Sequence, residues 1–307
     1  MTVVAPGAAG PLAEIGWGED KAVIGAVAAT LLSWRTGGTE LLLTHDPAEL
    51  GDSHQGKAIA PWPNRIAAGR YTFDGREHQV AITEPARDAA LHGLLTWVEW
   101  TITDHGEHAV TLEHRLRPQY GYPFSLHLRL TYAMDATGLR CTLEATNTGT
   151  GPAPFGAAYH PYIRLTDTVD ELRVDLPADT YYPTDANLIP TGRASVAGTD
   201  FDFRGGRELG PIALDTAYTG LTADADGITR VRLSAPSGRT VTVWADGAHR
   251  YLQVYTDDVP GTDRPARQGI TVEPMTCAPD AFNTGDGLIT LAPGEIFRGG
   301  WGLSHSD

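Results

Sequence analysis

Phe124-Ser-Leu-His-Leu-Arg-Leu-Thr-Tyr-Ala-Met-Asp135 alternates in character along its length. Phe124, Leu126, Leu128, Leu130 and Tyr132 share one parity, while Ser125, His127, Arg129 and Thr131 share the other. Successive side chains of a strand point to opposite faces, so the pattern predicts a half-buried antiparallel strand. Asp135-Ala-Thr-Gly138 turns the chain, and Leu139, Cys141, Leu143 and Ala145 return on a single face.

The same grammar extends outward. Ala22–Val27 and Glu40–Thr44 read as strands, with Gly37-Gly38 as the turn between them. Arg70–Val80 reads as a hairpin whose Asp74-Gly75 supplies the residues that tolerate positive φ in a two-residue turn. Thr96–Thr103 and Val110–Leu116 form another expected pair, joined through Asp104-His-Gly-Glu-His108; His105 and His108, with no further ligands nearby, are read as solvated. Val231–Leu233, Val241–Trp244 and Tyr251–Thr256 continue the series. No stretch carries a long helical period, and no composition break marks a linker. The expectation is one all-β domain over residues 1–307, a large antiparallel β-sandwich with few or no helices.

The formal net charge of −15 repels nucleic acid and anionic membrane surfaces, so neither is expected as a partner. Hydrophobic residues make up 41% of the 307, enough for a sizeable core. Cys141 and Cys277 have neither metal nor redox spacing; Cys141 reads as a core thiol, and two cysteines without a framework suit a reducing compartment. The first ten residues lack a basic start and an apolar run, and Ala22–Trp34 is too short to span a bilayer. A cytoplasmic protein is expected.

Two stretches carry the chemistry. In Ile270-Thr-Val-Glu-Pro-Met275, Glu273 stands directly before proline; in Phe155-Gly-Ala-Ala-Tyr-His-Pro-Tyr162, so does His160. A residue before proline is pushed into extended conformations, so each acid–base group is held on stiff backbone. Around them stand Asn64 and Arg65 in Pro61-Trp-Pro-Asn-Arg-Ile66, His92 in Leu91-His-Gly93, Asp215, and Gln253 within Tyr251–Tyr255. Taken singly, Glu273 reads equally as a surface carboxylate, Arg65 as a surface cation, His92 as a satisfied core histidine, Asp215 as a turn cap and Gln253 as an edge residue.

Taken in order, these stretches, with the Pro279-Asp-Ala-Phe-Asn283 tail, resemble the aldose 1-epimerase (mutarotase) family over about residues 64–295. The resemblance implies a galactose-mutarotase-like supersandwich that interconverts the α and β anomers of a free aldose, such as glucose or galactose. It implies Glu273 as base, His160 as acid, and Asn64, Arg65, His92, Tyr162, Asp215 and Gln253 as sugar contacts. Where the family often has Phe after the Tyr, Ile163 stands here. Proton transfers suffice for such a reaction, so neither a cofactor nor a metal is called for. Nearby carboxylates are expected to keep His160 charged, and both catalytic groups are expected to face a wet pocket. Glu273 would then govern the acid limb of a bell-shaped pH profile and His160 the alkaline limb. A sugar is the expected partner, and the chain is expected to be a monomer or homodimer.

Three alternatives remain. A hexose-6-phosphate mutarotase would want a cation after the His-Gly pair, where this chain has Leu94 and Leu95. A non-catalytic carbohydrate-binding module would need no acid–base pair. A glycoside hydrolase would use two carboxylates, with Asp215 beside Glu273, and leave His160 without a role.

Overall fold

The computed structural model describes residues 7–261 and 264–307; the first six residues of the stretch read as lacking a leader lie outside them. Its centre is the alternating pair of strands, Leu126–Asp135 and Gly138–Asn147, registered antiparallel from Leu126 opposite Asn147 to Asp135 opposite Gly138. Leu126, Leu128, Leu130, Tyr132, Leu139, Cys141, Leu143 and Ala145 are all buried, while the intervening residues are half-buried or exposed. Each fully buried leucine stabilises the fold by about 1.5–3 kcal/mol of apolar transfer. These two strands sit within a nine-stranded antiparallel sheet that continues through Ile296–Ser306, Thr240–Ala245 and Thr229–Ser234.

A second, eight-stranded sheet faces it. Its middle runs Ala178–Tyr181, Asp215–Leu221, Tyr251–Tyr255, Ile270–Met275 and Ala158–Tyr159 in spatial order. Leu252, Val254, Ile270 and Val272 join Leu128, Leu130, Cys141 and Leu143 in one buried cluster, which also takes in Ile15 and Trp34 of a four-stranded N-terminal sheet. Period two then sends Gln253, Thr271 and Glu273 to the opposite face of the second sheet. The main core thus occupies one face of that sheet, and the other carries these polar residues beside a smaller apolar cluster that includes Ala217, Tyr251 and Met275.

The hairpin Arg70–Phe73/Arg76–Gln79 forms as expected, with Asp74 and Gly75 both at positive φ. Helix is confined to short turns, of which Ala281–Thr284 is the one α-helical piece among the described residues. Three strand expectations change. Ala22–Val27 ends earlier, at Gly25, and a further strand, Thr30–Thr36, precedes Gly37-Gly38. The missed turn uses Ala28 and Ala29 at positive φ, a conformation that costs a residue with a Cβ about 1–2 kcal/mol. Long-range bonds hold it there: Ala28 N–H donates to Val98, and Tyr132 Oη donates to Ala29 at 3.0 Å. The second change is at Thr96–Trp100, which is loop; the strand covers only Thr101–His105. Glu40–Thr44 likewise shrinks to Thr39–Glu40 plus a bridge from Leu42 to Ile163.

His105 and His108 are exposed, but each ring also bonds a carbonyl of the N-terminal strand, Glu14 at 2.9 Å and Gly16 at 2.6 Å. Cys141 is fully buried, in keeping with a core thiol. No helix is long and apolar enough to cross a membrane among the described residues.

Candidate active site

Glu273 and His160 meet at an interruption in the second sheet. Strand Ile270–Met275 pairs with Ala158–Tyr159 on one side of the gap and with Tyr162–Ile163 on the other, in the same register. Continuing that register sets His160 directly across from Glu273. The two prolines belong to this gap. Thr276 N–H donates to Ala157 on the neighbouring strand, so position 274 faces the same way, and its missing N–H falls where His160-Pro161 leaves the ladder. The bonds of the lost stretch are replaced from elsewhere: His160 N–H donates to Lys57 O, and Gly56 N–H donates to His160 O.

The outcome is a contact of 3.3 Å between His160 Nε2 and Glu273 Oε1. Thr271 Oγ1 donates to the same carboxylate oxygen at 3.2 Å. Glu273 Oε2 and His160 Nδ1 are buried without a hydrogen-bond partner among the described residues. Unpartnered buried polar atoms are rare, and these two leave hydrogen-bonding capacity unmet beside each other.

Gln253 lies opposite Glu273 on the adjoining strand, and Asp215 sits one strand further, opposite Tyr255. Gln253 Nε2 donates to Asp215 Oδ1, leaving Gln253 Oε1 unpartnered. Arg65 and His92 come from the other side, on and just after the paired strands Arg65–Ala67 and Ala89–Leu91. Glu84 takes Arg65 in a two-point contact, from Nε at 2.7 Å and from Nη2 at 2.9 Å, which aims the guanidinium so that Nη2 lies 4.0 Å from Asp215. Asn64 and His92 both adopt positive φ, and His92 N–H donates to Asn64 O at 2.8 Å. The His92 ring packs edge-on against His160 at 5.3 Å, and Tyr162 stacks on the far side of His160 at 5.3 Å. All eight residues singled out from the sequence therefore lie in one connected cluster.

Several isolated readings fall away. Glu273 is 1% exposed, so it is no surface carboxylate, and His160 is 5% exposed. The expectation that both face a wet pocket is corrected: both residues are almost wholly shielded from solvent. Arg65 is buried rather than a surface cation, and His92 has an unpartnered Nδ1 rather than a satisfied ring. Asp215 opens a strand, and Gln253 occupies an interior strand. Ile163 is fully buried and paired with Ile270, a packing position.

Electrostatics overturns the expected imidazolium. Burial, with smaller contributions from His54 and Lys57, pushes the His160 imidazole down to about 3. His92 is lowered well below the usual histidine range, first by burial and then by the surrounding imidazoles and cations. Glu273 moves the other way, raised well above the ordinary carboxylate range by burial and by Asp215, against a bond from Thr271 and the charge of Arg65. The enclosed pair resists both a second proton and the loss of its last one. The expected order of titration is therefore reversed: His160 takes up the pair's second proton on the acid side, and Glu273 loses its last one on the alkaline side, as shared apparent values.

Sequence reasoning missed three residues. Glu84 orients Arg65, Thr271 holds Glu273, and His54 stands beside His92 with ring centroids 4.7 Å apart. Glu84 and His54 carry no local signal; Thr271 could have been found by its parity with Glu273. The Asp280 tail is structural. Its carboxylate accepts from Ala67 N–H and Asn283, its own N–H donates to Arg65 O, and Phe282 packs against Trp62 and Tyr71. Cys277 is buried and its thiol is pushed up to about 12 by burial, which leaves it inert as a nucleophile.

The family model for aldose 1-epimerase matches residues 19–303. The chain belongs to the aldose 1-epimerase family. Its enzymes are isomerases, of mutarotase type. Among relatives, an uncharacterized Escherichia coli protein, YihR, is 35% identical over 291 residues, covering 94% of this chain and 91% of its own. Human galactose mutarotase is 29% identical over 270 residues, covering 79% and 76%. Solved structures share the fold: a GalM/aldose epimerase homologue from C. elegans superposes with a TM-score of 0.85 at 21% identity, covering 96% of this chain and 98% of that one. Galactose 1-epimerase from Lactobacillus acidophilus does so with 0.81 at 21% identity, covering 96% and 94%. This epimerase is therefore all-β by membership as well as by its own sheets.

Proposed function

We propose that the protein interconverts the α and β anomers of a free aldopyranose, with Glu273 and His160 as the proton-transfer pair and Asn64, Arg65, His92, Tyr162, Asp215 and Gln253 as sugar contacts. The observation that carries this reading is the enclosed His160–Glu273 contact of 3.3 Å, with unpartnered atoms on both residues. Burial favours one shared proton on this pair, and that is the stoichiometry ring opening needs. Passing the proton across the contact from carboxyl to imidazole creates a base at Glu273 and an acid at His160. Glu273 takes the hydrogen of the C1 hydroxyl and His160 gives one to the ring oxygen. The C1–O5 bond breaks as the C1 carbonyl forms. The aldehyde turns about C1–C2 and recloses with the transfers reversed. Protons in and out balance, and no electrons are exchanged.

Arg65, fixed by Glu84, supplies a donor for charge developing on a sugar oxygen. Asp215 and the free Gln253 oxygen accept from hydroxyls. A hydrolase reading would use Asp215 with Glu273, but Asp215 is already engaged by Gln253 and lies near Arg65, while His160 holds the contact to Glu273.

Polarimetry of freshly dissolved α-glucose and α-galactose tests the reading. Glu273→Gln and His160→Gln should each lower kcat by roughly 10²-fold or more, the scale of a lost general acid or base. Calorimetric sugar binding should persist in both. Parent protein that leaves relaxation unchanged for common hexoses and pentoses would exclude the activity; a fully active Glu273→Gln would exclude the base.

A further inference from the structure

Beside the six sugar contacts named above stands a further imidazole, His54, which closes a single 3-10 turn at Asp52–His54. Its ring centroid is 4.7 Å from that of His92, edge-on, and 6.2 Å from that of His160. On its other side it approaches Trp97 at 5.8 Å, and Trp97 is 55% exposed. The three imidazoles thus form a compact triangle, with Trp97 against His54 on the solvent side. His54 is half-buried while His92 and His160 are buried, so it occupies the outer end of the imidazole wall.

The loop that carries it is held against local preference. Ser53 and His54 take consecutive left-handed conformations, with φ of 47° and 60°. Such backbone persists only where the surroundings impose it. Here Gln55 donates to Leu43 O and accepts from Asp52 N–H, both at 3.1 Å. Asp52 accepts from Gly261 N–H at 2.8 Å on one oxygen, and Arg264 forms an ion pair with the other at 3.0 Å. Tyr162, itself a site residue, donates its hydroxyl to Ser53 O at 3.3 Å. Gly56 follows at φ +70°, where a Cβ would lie 2.1 Å from Leu31 O. All of this fixes a ring neither of whose nitrogens has a hydrogen-bond partner among the described residues.

A packing residue at this place would need no nitrogens and would tolerate an apolar substitute. Lys57 does not compete for the role, because its ammonium donates to Thr96 O at 2.9 Å and lies over the Trp97 ring. Burial and Lys57 keep the His54 ring neutral, lowered to about 4, so it offers one donor and one acceptor at neutral pH.

We infer that His54 is a further sugar-contacting residue, which hydrogen-bonds one hydroxyl of the bound aldopyranose and contributes to which aldose is accepted. This rests on the mutarotase reading, but it is separable from it. The atoms of His54 touch neither Glu273 nor the proton path through His160. Its loss should therefore appear in KM rather than kcat.

The test begins with the parent on glucose, galactose and the 2-, 3-, 4- and 6-deoxy glucoses, followed by polarimetry or by NMR exchange at equilibrium. His54→Ala should raise KM for glucose about 5–10-fold, the value of one neutral hydrogen bond to a ligand, with kcat within about twofold. For one deoxy sugar, the one lacking the contacted hydroxyl, His54→Ala and parent should have equal KM. His54→Asn, which tolerates the left-handed backbone and keeps a donor and an acceptor, should recover part of the loss and guards against a folding defect in the alanine variant. The inference is overturned if His54→Ala leaves KM for glucose unchanged. It is equally overturned if KM rises by the same factor for every deoxy sugar, or if kcat falls and KM does not move. A parent inactive on every aldose would instead overturn the mutarotase reading beneath it.

Discussion

At the scale of single residues, the site is governed by enclosure. Glu273 and His160, the proposed proton-transfer pair, are held near neutrality by burial, which broadens the range over which the pair keeps one proton. The rate profile follows. On the acid side the pair gains its second proton on His160, a step that burial delays from the ordinary 6.5 toward about 3. On the alkaline side the last proton leaves Glu273, which burial raises above 4.5. A plot of kcat/KM against pH for glucose should therefore have its acid limb well below pH 6.5. An acid limb centred near 6.5 would mean an ordinary, solvated histidine. Stability is linked to the same groups. His160, His54 and His92 bind protons in the unfolded chain near pH 6.5 but only far lower when folded, so they make stability fall as pH drops below 6.5. Glu273 acts in the opposite sense: folded protein binds its proton at a higher pH than unfolded chain, so its contribution rises as pH falls. Glu273→Gln removes only this opposing part. Urea melts at pH 7 and pH 5 should show a larger acid-side loss in Glu273→Gln than in the parent.

At the scale of elements, short interrupted strands do the positioning. The break between Ala158–Tyr159 and Tyr162–Ile163 is what frees His160 to face Glu273. The turn after Ala89–Leu91 does the same for His92. There Gly93 has φ +72°, and a Cβ would lie 2.2 Å from Ala60 O, a backbone atom that cannot swing aside. Leu94 N–H donates to that same carbonyl at 2.9 Å. Gly93→Ala should thus destabilise the fold by about 2–4 kcal/mol through combined backbone strain and overlap, and should displace His92. Denaturant melts together with turnover measure both effects; a variant with parental stability and activity would show that the turn has slack.

At the scale of the whole molecule, charge bears on substrate choice. The chain carries a formal −15, and no cation follows the His-Gly pair, where half-buried Leu94 and buried Leu95 stand. The Lys57 ammonium is engaged by Thr96 O and the Trp97 ring. A sugar phosphate approaches against this field, and added salt screens such repulsion within about 8–10 Å. Free glucose should have a higher kcat/KM than glucose 6-phosphate, and the gap should narrow as ionic strength rises. A phosphate preferred at low salt would place a receptive cation in the site and reverse the assignment.

The sequence by itself determined the all-β class and the identity of the central pair. Period two from Phe124 to Thr146 is a local property, because each side chain's face follows from its position along the strand. Glu273-Pro274 and His160-Pro161 were legible for a similar reason, since proline restricts its own neighbour. What only the tertiary structure decided were properties set across long sequence distances. The Ala28–Ala29 turn has no turn residues and exists because Val98 and Tyr132 bond it in place. His54 enters the site because Asp52, Gln55 and Tyr162 hold its loop there. The protonation of His160 reversed from its expected state because the sequence reveals neighbouring charges but not burial, and here loss of water outweighs the attraction of nearby carboxylates.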